Sequence, residues 1–343
     1  MTRKKIIFVI VEGPSDETAL GAILQNIYDI NQVHIEVVYG DITTESGVAP
    51  HNILSKIGAK VTEHIKQNRY LKKADFEKII HIVDMDGAYI PYDHIFEDNG
   101  RTKTVYSTTN IITTTNNKSN IINRNKQKSS NLDKICSCSE VGGIPYRVFY
   151  MSCNLDHVLY DKINSTDSEK KHNSINFAKR YKENIQEFLS FISESDFSVN
   201  MLYKQSLNPY KESWDFIKQG LHSLERHTNF GICFNTISYC GLDCEKCDAY
   251  IATKNNDDAL REKTAKLWSE LNHATILPEH INCTGCRSDG IKTFYCENLC
   301  AIRKCALQKG VGSCGDCPEM EKCPTLGVIT ANNPDTLKNL KLS

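Results

Sequence analysis

The chain has 343 residues, enough for two or three domains, and its apolar (40%) and charged (24%) fractions are ordinary for a globular protein. Lys plus Arg (41) nearly balance Asp plus Glu (42), so a formal net charge of −1 excludes a bulk positive field and leaves any nucleic-acid contact to a local patch. The start, MTRKK, is followed by six apolar residues, too few for a secretion signal, and no run approaches membrane length; a soluble, cytoplasmic protein without a membrane partner is expected.

Residues 6–11 (IIFVIV) are unbroken and mostly β-branched, which predicts a strand buried on both faces, as in a parallel sheet. Glu12 follows at its carboxyl end, where open α/β sheets bind ligands. Gly13 and Pro14 stop the strand, and Ser15 or Asp16 can cap the next helix. Leu20, Ile23, Leu24 and Ile27 give that helix its apolar face. Residues 33–39 read as a second strand ended by Gly40-Asp41. Ile53, Leu54, Ile57, Val61 and Ile65 share a helical face, so 51–67 is expected to be a helix. A third strand, 79–83, runs into Asp84-Met85-Asp86-Gly87. Strand alternation would project Asp84 and Asp86 to one side, beside Glu12 if the strands are neighbours. Three carboxylates at one sheet edge repel one another unless a cation sits among them. An all-oxygen set suits Mg²⁺ or Mn²⁺.

Residues 101–131 are rich in Thr, Asn and Ser and carry Arg101, Lys103, Lys118, Arg124, Lys126 and Lys128 without an acidic residue. Such a segment either grips phosphates beside a metal site or is a solvated, partly disordered loop. A last strand, 146–151, leads into Ser152-Cys153-Asn154-Leu155-Asp156-His157. Asp16, Asp156 and His157 are candidates to assist the site, and Asn154 or Asp156 can equally cap the following helix. The alternation of strands and helices predicts an α/β fold, a mostly parallel sheet flanked by helices. Residues 1–157 hold no G-x-G-x-x-G and no Walker A sequence.

Glu12 in a strand-turn-helix element and Asp84-x-Asp86 after a later strand resemble the Toprim signature. The form Val11-Glu12-Gly13-Pro14-Ser15-Asp16 looks most like the Toprim part of OLD-family and related defence nucleases. The similarity covers roughly the first 155 residues, about one domain's worth. It implies a Mg²⁺-dependent site with Glu12, Asp84 and Asp86 as catalytic residues, nucleic acid as partner, and a place in antiphage defence. In several such nucleases the corresponding last strand ends in an Asn and an acidic residue, positions matched by Asn154 and Asp156. No ATPase half accompanies the site here. Topoisomerase activity would need a strand-passing tyrosine domain, and primase activity an accessory architecture; neither is apparent.

From about residue 161 to 229 the pattern turns helical. Phe177, Tyr181, Ile185, Phe188, Leu189 and Ile192 trace one long amphipathic helix, and Trp214, Ile217, Leu221 and Leu224 a shorter one. From Cys233 the composition changes: twelve of the fifteen cysteines lie between Cys233 and Cys323. Eleven form four groups: Cys240, Cys244 and Cys247; Cys283 and Cys286; Cys296, Cys300 and Cys305; Cys314, Cys317 and Cys323. Knuckles of this spacing bring two thiolates to one ion, and pairs of knuckles complete tetrahedral sites. Zn²⁺ is expected, with an iron–sulfur cluster as the alternative. His273 or His280 can complete a mixed site. Cys240-x₃-Cys244-x₂-Cys247 also copies the radical-SAM spacing, but lacks the barrel of βα units which that motif opens.

The run Cys240-Gly241-Leu242-Asp243-Cys244-Glu245-Lys246-Cys247-Asp248-Ala249-Tyr250, with Cys283-Thr284-Gly285-Cys286-Arg287 and the Cys300–Cys305 stretch, is similar to an uncharacterised cysteine-rich domain of bacteria and archaea. That resemblance covers about the last 105 residues and implies no activity. Within it, 257–271 is expected to be a helix with Leu260, Leu267, Trp268 and Leu271 inward.

The domains expected are therefore 1–157 (Toprim-like), 158–232 (helical extension) and 233–343 (Cys-rich, metal-binding). The function expected is phosphodiester hydrolysis of DNA or RNA. The alternative is a non-catalytic nucleic-acid or nucleotide-binding protein, or a redox sensor, with the Cys-rich part as a protein-binding platform.

Overall fold

A computed structural model of the chain describes residues 6–28, 33–37, 40–68, 70–202, 209–234, 237–287, 291–309, 311 and 313–342. The chain separates into two compact units: Met1–Leu202 with Tyr210–Cys233, and Tyr203–Pro209 with Phe234–Ser343. Of the helical stretch expected over 158–232, residues 158–202 and 210–232 group with the α/β part.

The first unit opens with β1 (Ile6–Val11), α1 (Pro14–Tyr28), β2 (Val33–Val37), α2 (Ile53–Gln67) and β3 (Phe76–Asp84). A small three-stranded sheet follows, built from β4 (Ile95–Glu97), β5 (Val105–Tyr106) and β6 (Ile111–Thr113). Then come α3 (Lys118–Cys136), β7 (Glu140–Val141), β8 (Ile144–Ser152), α4 (Leu155–Tyr160), α5 (Asp167–Tyr181), α6 (Ile185–Glu194), α7 (Val199–Leu202), α8 (Pro209–Ile217) and β9 (His227–Thr228). The main sheet has the order β2-β1-β3-β8-β7, and β9 pairs with β8. β2, β1, β3 and β8 are mutually parallel. The fold is therefore mixed α/β with a mostly parallel, helix-flanked sheet.

Residues 7–11 of β1 are buried, as an unbroken apolar run in a covered central strand requires. The chain leaves β1 for β2 on one side and returns to β3 on the other. The switch point of this sheet therefore lies between the carboxyl ends of β1 and β3, where a doubly covered sheet opens a crevice. α1 begins at Pro14, a residue suited to the first helical position. Ser15 accordingly lies inside the helix, and Asp16 reaches back to accept the Gly13 amide at 2.9 Å.

Three expectations about helices are corrected. Residues 101–131 are not a solvated loop: 118–136 form α3, with Asn125, Lys128 and Asn131 buried along it. The long helix through Phe177 and Ile192 is two helices, α5 and α6. The chain turns between them, so that Phe177 and Tyr181 meet Phe188 and Phe191 ring against ring. Helix α8 ends at Ile217, and Leu224 lies beyond it in a separate cluster with Ile90, Ile95, Ile111 and Cys153. For α5 and α6 one periodicity spanned two helices because their apolar faces meet across the turn; for α8 it ran on past the end of the helix into a turn.

The second unit holds α9 (Asp248–Asn255), α10 (Asp258–Asn272), α11 (Ala301–Lys309), α12 (Pro324–Asn332) and α13 (Asp335–Leu342). Asp257 caps α10 by accepting the Leu260 amide. Its inward face carries Arg261, Thr264 and Ala265, with Trp268 packed near Ile281 and Cys283. Leu267 (44% exposed) and Leu271 (68%) face outward, contrary to the sequence expectation.

Candidate functional site

The parallel strands each hand over to an acidic residue: β1 to Glu12, β2 (past Gly40) to Asp41, and β3 to Asp84 at its end. The Gly40 amide donates to the Glu12 carbonyl at 2.9 Å, which holds the ends of β1 and β2 together. The Asp84 amide donates to Glu12 Oε1 at 3.1 Å, and the Leu155 amide donates to Asp84 Oδ1 at 2.8 Å. Glu12 and Asp84 are therefore brought together across the β1–β3 switch point, both partly accessible.

Asp86 is near, but not through strand alternation. The strand ends at Asp84, and Asp86 has φ 48°, a left-handed conformation that redirects its side chain. The Cys153 carbonyl accepts the Asp86 amide at 2.7 Å, and Arg124 Nη2 donates to the Asp86 carbonyl at 2.9 Å. The Asp86 carboxylate is ion-paired with Lys128 Nζ at 2.6 Å. The same ammonium is 2.7 Å from Asp41 Oδ2.

Lys128, fully buried, is thus a cation built into the site. It cannot serve as the surface phosphate contact expected from sequence. Arg124 is also inward: it donates to the Tyr106 hydroxyl and to Asn125. Of the other basic candidates, Lys118 is partly buried, while Arg101, Lys103 and Lys126 are exposed. Arg101 pairs with Asp98, and Lys126 lies 5.4 Å over the Tyr92 ring.

The charges follow from this packing. Burial first, then the charges of Asp41 and Asp84, hold the Glu12 carboxyl well above the usual carboxylate range. Burial, then Asp86 and Asp16, push Asp84 up likewise. Asp16 is pushed up to about 6, mainly by burial and against the Gly13 amide. For Asp41, burial would raise the pKa, but the Lys128 charge and the hydrogen bonds from Lys128 and Thr43 outweigh it and bring it down. Lys128 is raised despite its burial, by Asp41, Asp86 and Glu12.

Asn154 caps α4 by accepting the His157 amide at 2.9 Å. Asp156 is buried, with Lys170 of α5 3.6 Å away, and burial raises its pKa. His157 Nδ1 accepts the Cys153 amide, and burial lowers that imidazole to about 4. His157 therefore stays neutral and supports the turn after β8. The sequence missed Asp41, Lys128's inward role and Lys170. A signal for Asp41 was present: an acid close to the carboxyl end of a parallel strand, as at Glu12 and Asp84.

In the second unit the thiols fall into two neighbourhoods. Cys244 is pushed up to about 12 by burial and feels Cys286, Cys283 and Cys247. Cys314, also pushed up to about 12 by burial, feels Cys240, Cys323, Cys317 and Cys305. Cys286 in turn feels Cys240 and Cys300, so Cys240 joins the two neighbourhoods, whereas Cys244 and Cys247 belong to the first. Cys283 Sγ accepts the Gly285 amide and Cys300 Sγ the Arg303 amide, both at 3.4 Å. Cys247 and Cys323 stand at the N-caps of α9 and α12. Among the described residues, no three of these sulfurs converge within 4.8 Å. His273 forms the left-handed end of α10, and His280 Nδ1 is engaged by the Leu277 amide. A thiol-rich donor set with amide-to-sulfur bonds fits metal binding; which metal is left open by the donors.

Among the described residues, no helix is long and apolar enough to cross a membrane. A family model described as "Protein of unknown function (DUF3795)" matches residues 236–328, which lie in the Cys-rich unit. No curated protein and no solved structure matches the chain.

Proposed function

We propose that the first unit is a Toprim-type site that hydrolyses phosphodiester bonds of nucleic acid with Mg²⁺ or Mn²⁺. One observation carries the reading. Glu12 and Asp84 meet at the switch point of a parallel sheet, with burial and neighbouring acids raising both carboxyls. Such a group gains most from a divalent cation, and its all-oxygen donors suit a hard one. Asp84, with Glu12 and Asp86, would hold the ion, which when bound supplies Lewis-acid charge to a phosphate. The Leu155 amide orients Asp84, and a raised Glu12 is suited to carry a proton at Oε. Lys128 holds Asp41 and Asp86 in place, and the exposed Arg101, Lys103 and Lys126 are the residues offered to a nucleic-acid backbone. A role in antiphage defence rests on the sequence resemblance alone. The Cys-rich unit is read as a structural zinc module, with iron–sulfur as the alternative.

A second reading has its own support. The Lys128 ammonium already neutralises Asp86, which favours a non-catalytic site that binds nucleic acid or nucleotide. Incubating the full chain with labelled DNA and RNA in Mg²⁺, Mn²⁺ or EDTA separates the two. Metal-dependent cleavage supports hydrolysis; retention of the probe without cleavage in any metal supports binding.

A further inference from the structure

A separate cluster lies away from the carboxyl ends of the strands. His34 and Glu36 are two residues apart on the edge strand β2, and so share a face. His64 sits in the last turn of α2, over that same face. One donor atom from each lies within 4.8 Å of the others. His34 Nε2 is 3.4 Å from Glu36 Oε2. The His34 and His64 rings lie 3.7 Å apart, centroid to centroid. Phe8 on β1 stacks against His34 at 5.2 Å and also meets His64.

We propose that His34, Glu36 and His64 form a binding site for a borderline transition-metal ion, Zn²⁺ foremost, distinct from the hard-cation carboxylates. Two imidazoles and one carboxylate are a donor set that Mg²⁺ does not favour and Zn²⁺ does. Three protein ligands leave one tetrahedral position open to water or to a ligand. All three residues are partly exposed, so an ion has an entry path, while the Phe8 ring walls one side. Register separates the site from the carboxylates: His34 pairs with Phe8 and Glu36 with Ile10, both before Glu12. The placement suits the fold. A strand and a helix that must pack anyway supply the ligands, and an ion would pin the end of α2 to an edge strand that has no neighbour beyond it among the described residues. Lys60 and Glu63, of opposite charge, face Glu36 together with the His64 ring, so no excess of fixed positive charge repels a cation.

The test is zinc titration of the full chain against a chromophoric chelator, with wild type compared to His34→Ala, His64→Ala and the near-isosteric Glu36→Gln. Wild type should bind one more Zn²⁺ per chain than either histidine variant, with thiol-bound metal unchanged. Glu36→Gln should weaken that ion by more than the roughly ten- to hundredfold typical of removing a group that only orients a ligand. Should a histidine variant fail to fold by circular dichroism, Glu36→Gln and the imidazole NMR signals decide, since ligation shifts both rings of the wild type on zinc addition. Equal stoichiometry and affinity in wild type and folded variants, or a zinc requirement only in the millimolar range, would overturn the proposal.

Discussion

The backbone amide of Asp84 donates to the carboxylate of Glu12 at 3.1 Å, so the last residue of β3 fastens the first acid beyond β1. That bond fixes two acidic side chains side by side in a place where neither ionises easily. Their arrangement is built by the backbone, not by the carboxylates' mutual attraction, and is expected to survive loss of either charge.

Neutralising either acid should therefore leave the fold intact. In EDTA, Glu12→Gln and Asp84→Asn should melt no lower than wild type, because each replaces a carboxyl whose ionised form is disfavoured by burial and by its acidic neighbours. Cleavage in Mg²⁺ should fall on the order of a hundredfold or more. Melting temperature and cleavage measured on the same preparations check both halves.

The same charges make stability depend on pH. Glu12, Asp84 and Asp16 have folded pKa values above their unfolded ones, so they contribute stability fully at low pH and lose it as pH rises. For Asp16 the window runs from about 4 up to about 6. His81 and His157, both lowered to about 4, act in the opposite sense as pH falls from about 6.5. The difference between wild type and Glu12→Gln isolates the acids: in EDTA, Glu12→Gln should gain on wild type as pH rises. Added Mg²⁺ should raise the melting temperature of wild type more at about pH 8 than at about pH 5.5, since binding requires the ionised carboxylates.

Lys128 should matter more to folding than to binding. Removing it leaves Asp41 and Asp86 without their buried counter-charge, and Lys128→Met is expected to cost about 3–5 kcal/mol. Lys126→Ala, at an exposed position on the same helix, should stay within about 0.5 kcal/mol. Urea unfolding compares them. Any salt dependence of nucleic-acid binding should fall on Arg101, Lys103 and Lys126, with the slope dropping by roughly one unit for each phosphate that an alanine leaves without its cation.

Much of this was legible from residues. The apolar run of β1, the abrupt Glu12-Gly13-Pro14 and the strand running into Asp84 led to the sheet edge at which the structure brings Glu12 beside Asp84. What failed needed three dimensions. Alternation could not foresee that Asp86 leaves the strand with positive φ. Composition could not show that a basic, polar stretch would coil into α3 and turn Lys128 inward, because Lys128 finds its partners only after β2 and β3 align. His34 and Glu36 share a strand face, but His64 comes at the far end of α2, and no local spacing links it to them.

In the Cys-rich unit, two glycines next to cysteines should be as sensitive as the thiols. A Cβ on Gly241 (φ +85°) would come within 2.5 Å of the Thr336 carbonyl, and one on Gly315 would collide with the Leu340 carbonyl. Both Cys240 and Cys314 thus sit where α13 packs closely. Gly241→Ala in the full chain should lower bound zinc or iron, measured by metal analysis, as much as Cys240→Ser does. Absorbance in the visible would mark iron–sulfur, and its absence beside bound metal would mark zinc.

The most direct measurement of the central claim is cleavage of labelled DNA and RNA by the full chain, wild type against Asp84→Asn, with Mg²⁺, Mn²⁺ or EDTA. Cleavage by wild type in Mg²⁺ or Mn²⁺, absent in EDTA and reduced on the order of a hundredfold in folded Asp84→Asn, is the expected result. Equal cleavage by both proteins, or none by wild type in any metal, would contradict a hydrolytic site at Glu12 and Asp84.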